Sequence, residues 1–191
     1  MNGVLDRYMI VSIDSHVSPL FDQLRQYCPP RYLEQWDDWT SMWMGLWGDE
    51  QNWYGPGSPV ANRWGKSFTD VVRKRTGDLV EKAGAGIYDP DARIRDMDAD
   101  GIAAEALYHT AFTREVLPFQ GGTVPGDDNR ELEAVGLRMY NRWLADFVSV
   151  APERFIAAAY LPIWDVDASI AEVEFARDHG LKCLNFPAPH R

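Results

Sequence analysis

Hydrophobic and polar positions change their period several times along this chain. From Tyr8 to His16, Met9, Val11 and Ile13 alternate with Ser12, Asp14 and His16. Strand side chains alternate faces, so this stretch predicts a strand with Met9, Val11 and Ile13 on one face and Ser12, Asp14 and His16 on the other. The period then lengthens. Leu20, Phe21, Leu24, Tyr27, Tyr32, Leu33 and Trp36 are spaced for a helix broken at Pro29-Pro30, which predicts two short helices. From Trp36 to Trp64 the chain holds Trp36, Trp39, Trp43, Trp47, Trp53 and Trp64 among scattered glycines and prolines, the pattern of an irregular aromatic loop. Trp39, Trp43 and Trp47 nonetheless repeat at four, as on one helical face. Rings of this size mainly bury area, so a local aromatic core is expected ahead of substrate contact.

The second half alternates regularly. Phe68 to Lys82 is amphipathic. Asp89 is placed as N-cap and Pro90 as first residue of a helix that ends at Gly101. Ile102 to His109 reads as a strand. Asp127 or Asp128 is expected to cap a long helix with Leu132, Val135, Met139, Trp143 and Phe147 on its apolar stripe, stopped by Pro152. Phe155 to Leu161 is a third strand. Asp165 opens a helix with Ile170, Val173 and Ala176 on one face and Gly180 at its end. Leu181 to Phe186 is a fourth strand. Four strands, the last three each preceded by a helix, predict an α/β fold with a parallel sheet and right-handed crossovers. The first strand, with an apolar outer face and polar groups turned inward at its end, suits a (β/α) barrel, where the working groups sit at the C-terminal ends of the strands.

Composition narrows the classes. The 191 residues are 46% hydrophobic and 25% charged, an ordinary globular balance. The net charge of -10 argues against nucleic acid and anionic membranes as partners. Cys28 and Cys183 form no metal or redox spacing, and a reduced, cytoplasmic setting is expected. Neither a signal peptide nor a membrane span is read at the N-terminus.

The chemistry concentrates at the end of the first strand. Asp14 and His16, two residues apart on one face, offer a carboxylate oxygen and an imidazole nitrogen, which suit zinc and also manganese or iron(II). The ordinary alternative is a strand running into a turn, since Asp and Ser favour turns. His109, at the end of the second strand, is a candidate substrate-binding group. Glu105 and Lys182, deeper on the second and fourth strands, are candidates for a buried ion pair. His179 suits the last turn of its helix, and His190 follows the fourth strand.

Several runs taken together resemble the amidohydrolase-2 branch of metal-dependent hydrolases, the group that includes aminocarboxymuconate-semialdehyde decarboxylase. They are Ile13-Asp14-Ser15-His16-Val17, Asp89 through Ile102, Pro152-Glu153-Arg154-Phe155 with Leu161-Pro162, and Gly180 through Pro187. The resemblance implies a TIM-barrel-like (β/α)8 fold with one divalent ion, zinc or manganese. Asp14 and His16 would occupy the family's paired-ligand motif on the first strand, and the acid/base residue and further ligands would lie beyond Arg191. Residues 1–191 are then expected to be the N-terminal half of such a barrel, with 17–87 inserted after the first strand. The implied reaction is non-oxidative decarboxylation of a carboxylated aromatic or unsaturated acid. Hydrolysis of an amide, ester or lactone is the alternative within the family. A non-catalytic half-barrel that associates through its open edges, and a metal-free binder using the tryptophan loop, are alternatives from other classes. The isolated chain is expected to bind metal weakly, turn over little substrate and form a homo-oligomer.

Overall fold

Asp89 and Pro90 open a helix as their types dictate. The Asp89 carboxylate accepts from the backbone N–H groups of Asp91 and Ala92, and Pro90 needs no donor at that position. The helix runs Pro90–Asp100 and ends at Gly101, whose φ of 71° is the left-handed conformation a helix stop calls for. A strand follows at once. The helix–glycine–strand step recurs once, at Gly180 before the fourth strand, and a helix enters the third strand without a glycine.

The computed structural model describes residues 8–47, 84–109, 116–119 and 129–186. Its strands are β1 (Ile10–Val17), β2 (Ile102–His109), β3 (Phe155–Tyr160) and β4 (Cys183–Asn185). Its α-helices are α1 (Phe21–Leu24), α2 (Leu33–Trp47), α3 (Pro90–Asp100), α4 (Arg130–Ser149) and α5 (Val166–Asp178). The strands form one parallel sheet in the order β1-β2-β3-β4, with α3, α4 and α5 entering β2, β3 and β4. This is the α/β arrangement of consecutive units in a TIM-like barrel. Among the described residues no helix is long and apolar enough to cross a membrane.

One face of the sheet carries the core. Val17, Leu107, Phe155, Ala157 and Ala159 are buried there, with Val135, Met139, Trp143 and Phe147 of α4 in the same hydrophobic cluster. Leu132, the first residue of that predicted stripe, is half-buried beside it. The opposite face is more open, with Val11 and Ile156 exposed.

Four expectations change. The chain from Leu33 to Trp47 is a helix rather than irregular loop. Trp36, Trp39 and Trp43, spaced at three and four, fall on one helical face and are buried. Their rings stack in series at centroid distances of 5.6 and 5.7 Å, with Phe21 and Phe119 packed against Trp36 and Trp39. The aromatic run is core here, as aromatic area favours. The remainder of that run, with Trp53 and Trp64, and the segment Phe68 to Lys82 lie outside the described residues.

Helix α4 begins at Arg130 with Asn129 at its N-cap and no side-chain cap, while Asp127 and Asp128 lie outside the described residues. In α5, Ala176 of the predicted face is buried as expected, but Ile170 and Val173 are exposed and Glu172 is buried in their place. The cause is Glu172, whose carboxylate receives Asn141 Nδ2 at 2.8 Å and the Arg142 guanidinium, so it satisfies its charge inside. Finally, Glu105 pairs with Arg93 at 2.7 Å and not with Lys182, whose ammonium donates to the carbonyls of Pro152 and Phe155. Glu105 faces the helix layer, where Arg93 of α3 is within reach.

Candidate functional site

Strand β1 departs from strict alternation before it reaches its working end. Ser12 is level with Glu105 and Ser15 with Leu107, so three steps on β1 match two on β2. This is a β-bulge. Its effect on side-chain direction is specific. Ser12 and Ser15 come to the same side, their hydroxyl oxygens 2.8 Å apart. Ser12 therefore leaves the face on which alternation had placed it with Asp14 and His16. The outer role expected of Met9, Val11 and Ile13 also changes: all three are exposed, and none enters the core.

Asp14 and His16 stay together. Asp14 Oδ1 lies 3.3 Å from His16 Nε2, with the carboxylate 82% and the imidazole 41% exposed. They stand at the C-terminal end of β1. His16 is level with Tyr108, and the two rings meet at a tilt with centroids 6.3 Å apart. The other imidazole nitrogen, Nδ1, is 3.2 Å from the carbonyl oxygen of His109. A carbonyl only accepts, so Nδ1 carries the hydrogen. In the neutral ring this leaves Nε2 with a bare lone pair, aimed at a carboxylate oxygen. Two acceptors at that distance call for a proton or a cation between them. A backbone carbonyl that fixes the tautomer of a histidine is the usual support of a metal-ligating imidazole. The donor set therefore fits a divalent ion of the zinc or manganese type, with one oxygen and one nitrogen supplied by this pair. Among the described residues no group of three or more His, Cys, Asp and Glu side chains is placed to hold a metal ion.

His109 reaches the pair by its backbone. It is level with Val17, which is buried. Its ring packs edge-on against Tyr140 of α4, at 5.2 Å between centroids, and its Nε2 is 3.4 Å from Ser18 Oγ. The ring thus lies toward the helix layer, while the carbonyl is turned to His16. Tyr140 is wholly buried, and burial, followed by the neighbouring Tyr160, holds its phenol well above the usual range. Tyr160, partly buried, is also shifted upward, chiefly by burial.

The remaining histidines separate. His179 Nδ1 donates to the Phe175 carbonyl at 2.8 Å and its ring stacks on Phe175, a local helix-end arrangement. His190 lies outside the described residues. Among the described residues, open cavities elsewhere include one of about 500 Å³ beside Arg93 and Glu105 and one of about 660 Å³ between Arg31, Arg138 and Trp164. Neither is lined by Asp14 or His16.

Three features had little or no sequence signal. The bulge was hinted at by Ser12 and Ser15, polar residues three apart in a period-two stretch. The Arg93–Glu105 pair follows from a helix and strand joined by Gly101. The bond from His109 N–H to the Tyr160 hydroxyl, 3.2 Å, engages a backbone group that carries no sequence signal.

The runs Asp89–Ile102 and Pro152–Phe155 hold structure rather than the site. Asp89 caps α3, Arg93 pairs with Glu105, and Arg154 pairs with Asp98 while donating to the carbonyls of Ala103 and Ile102.

No family model and no curated protein matches this chain. Among solved structures it aligns with 2,6-dihydroxybenzoate decarboxylase complexed with 2,6-dihydroxybenzoate, at 20% identity and a TM-score of 0.45, over 91% of this chain and 37% of that one. A second alignment is to 2,6-dihydroxybenzoate decarboxylase from Rhizobium, at 20% identity and a TM-score of 0.44, over 91% of this chain and 36% of that one. The chain thus spans little more than a third of the length of those structures.

Proposed function

We propose that this chain carries part of the active site of a metal-dependent decarboxylase of the amidohydrolase type, acting on a carboxylated aromatic or unsaturated acid. The observation that carries the reading is the convergence of Asp14 Oδ1 and His16 Nε2 to 3.3 Å at the C-terminal end of β1. The resemblance of Ile13–Val17 and the later runs to the amidohydrolase-2 branch supports the choice of reaction. Metal-assisted hydrolysis would use the same pair.

In this reading Asp14 and His16 are two protein ligands, and zinc or manganese is the ion. A bound divalent ion supplies Lewis acidity toward substrate oxygens. The chain's own groups do the rest of what is visible. The His109 carbonyl holds the Nδ1 hydrogen of His16 and so presents Nε2 to the site. Tyr108, beside His16, gives the substrate an aromatic wall. His109 stands at the rim expected for a substrate-binding group, and its contribution runs through its carbonyl. The substrate is a small-molecule carboxylate and the setting cytoplasmic. The organisation proposed is 1–191 as the first half of a barrel with 17–87 inserted.

Calorimetric titration of Zn²⁺ and Mn²⁺ into the chain, with Asp14→Ala and His16→Ala beside it, tests the reading. Binding that weakens about tenfold or more in each variant is expected, as for loss of a ligand or its immediate support. Equal affinity in all three proteins would overturn the pair as ligands. Release of CO₂ from a panel of hydroxybenzoates, set against hydrolysis of ester and lactone substrates, distinguishes the two reactions.

A further inference from the structure

We propose that Tyr160 is a positioning residue for His16, acting through the backbone of His109. The inference rests on the reading of His16 as a ligand, but its geometry stands apart from any metal.

Pairing between β2 and β3 runs in register from Glu105–Phe155 to Leu107–Ala157. Two residues further along β2, the N–H of His109 donates to a side chain, the Tyr160 hydroxyl, at 3.2 Å. The carbonyl of the same residue accepts from His16 Nδ1 at 3.2 Å. One residue is therefore gripped from β3 at its N–H and from β1 at its oxygen. Turning the His109 backbone would break one bond or the other.

Tyr160 can serve as an anchor because it is itself held at three points. Asn141 Oδ1 accepts from the Tyr160 N–H at 2.9 Å, and Asn141 Nδ2 donates to the Tyr160 carbonyl at 2.9 Å. The ring stands edge-on to Tyr140, with centroids 5.4 Å apart. Asn141 is wholly buried, and its Nδ2 also donates to Glu172, which Arg142 neutralises. Hydrogen bonds, linked through the Tyr160 side chain and the His109 backbone, thus join the buried Glu172, paired with the half-buried Arg142, to the imidazole at the end of β1. Buried polar groups that satisfy one another in this way hold geometry tightly, because each loose member would be left unpaired. Conformational freedom removed from His109 is removed from the tautomer of His16.

The test is Tyr160→Phe, which deletes one oxygen and leaves the ring. Nitrogen-15 NMR of His16 in the metal-free protein should show the Nδ1–H tautomer in the unaltered chain and a mixture in the variant. Affinity for Zn²⁺ should fall about tenfold, the scale at which groups supporting a ligand act. Ser18→Ala, which alters the contact to the His109 ring rather than its backbone, should leave the tautomer unchanged. An equal shift in Ser18→Ala would overturn the proposal, since general loosening would then suffice. An unchanged tautomer in Tyr160→Phe would also overturn it, and the metal reading would survive. A chain that binds no Zn²⁺ but shows the tautomer shift would sink the metal reading and uphold this one. Should Tyr160→Phe fail to fold, the His109 amide of the unaltered protein decides. Slow exchange with D₂O supports the bond to Tyr160, and fast exchange refutes it.

Discussion

Arg93 Nε donates to Glu105 Oε2 at 2.7 Å, joining α3 to β2 across the face that faces the core. Both side chains are largely withdrawn from water, Glu105 at 5% exposure and Arg93 at 16%. A pair of this kind need not add much net stability, but half of it is expensive, because the charge left behind is buried without a partner. Arg93→Ala should therefore destabilise the fold by about 3 kcal/mol, and Arg93→Met with Glu105→Leu together by much less. Urea denaturation of the single and double variants measures this. Equal losses in both would mean that the pair contributes only through packing.

How far the fold was legible follows from where its punctuation sits. Asp89, Pro90, Gly101, Asp165 and Gly180 occupy turns and caps where their types are physically favoured. The strand–helix alternation could be read from them, as could the presence of Asp14 and His16 on one strand. Register could not. The bulge between Ser12 and Ser15 exists only relative to β2, and one inserted residue moves a side chain to the other face. Shared-face reasoning brought Glu105 and Lys182 together as candidates, yet it was blind to Arg93, a single helix-to-strand turn away. Helix α2 was obscured by the glycines beyond it, although Trp36, Trp39 and Trp43 already had the spacing of one buried face. The grip on His109 left no trace because His109 enters both bonds through its backbone N–H and carbonyl, which every residue but proline carries.

Gly136 offers a sharper test of packing. It lies in α4 against the segment 116–119, and a Cβ placed on it would stand 2.0 Å from the Pro118 carbonyl oxygen and 2.7 Å from its carbon. Those are backbone atoms with little room to yield, and they flank Leu117 and Phe119, both buried. Phe119 is further constrained by a φ of 59°. Alanine would favour the helix by up to about 1 kcal/mol, while overpacking costs about 3. The clash should win, and Gly136→Ala should lower Tm by roughly 4–8 °C. Loss of the tryptophan fluorescence signature of Trp36, which Phe119 touches edge-on at 5.8 Å, should accompany it. A stabilised variant would show that the segment moves aside freely.

The two cysteines should react very differently. Cys28 is buried, and burial pushes its thiol upward; the nearby Arg25 opposes that shift and Asp37 adds to it. The thiolate is the reactive form, so a raised thiol out of reach of solvent is doubly protected at neutral pH. Cys183, on β4, is exposed. A colorimetric thiol reagent should label one cysteine rapidly in the native chain and the second only in denaturant, and Cys183→Ser should abolish the fast phase. Rapid labelling of Cys28 would mean that the region of α1 and α2 opens often.

The last prediction concerns association. Within the described sheet β1 is an edge; Ile13 on it is 77% exposed, and Tyr8 and Met9, just before it, are 91% and 80% exposed. An exposed strand edge with apolar side chains favours pairing with another chain. The isolated 191-residue chain should therefore elute above the monomer mass in size-exclusion chromatography with light scattering. Met9→Lys with Ile13→Lys should shift it toward monomer, since charge on an edge strand opposes pairing. Both positions face solvent, so each substitution should change the stability of a single chain by no more than about 0.5 kcal/mol. The direction of the thermal response separates this from simple damage. If association is what β1 does, the double variant loses the concentration dependence of its melting temperature while its melt stays cooperative. An unaltered chain that is monomeric, with a sharp melt independent of concentration, would show that β1 does not act as an associating edge.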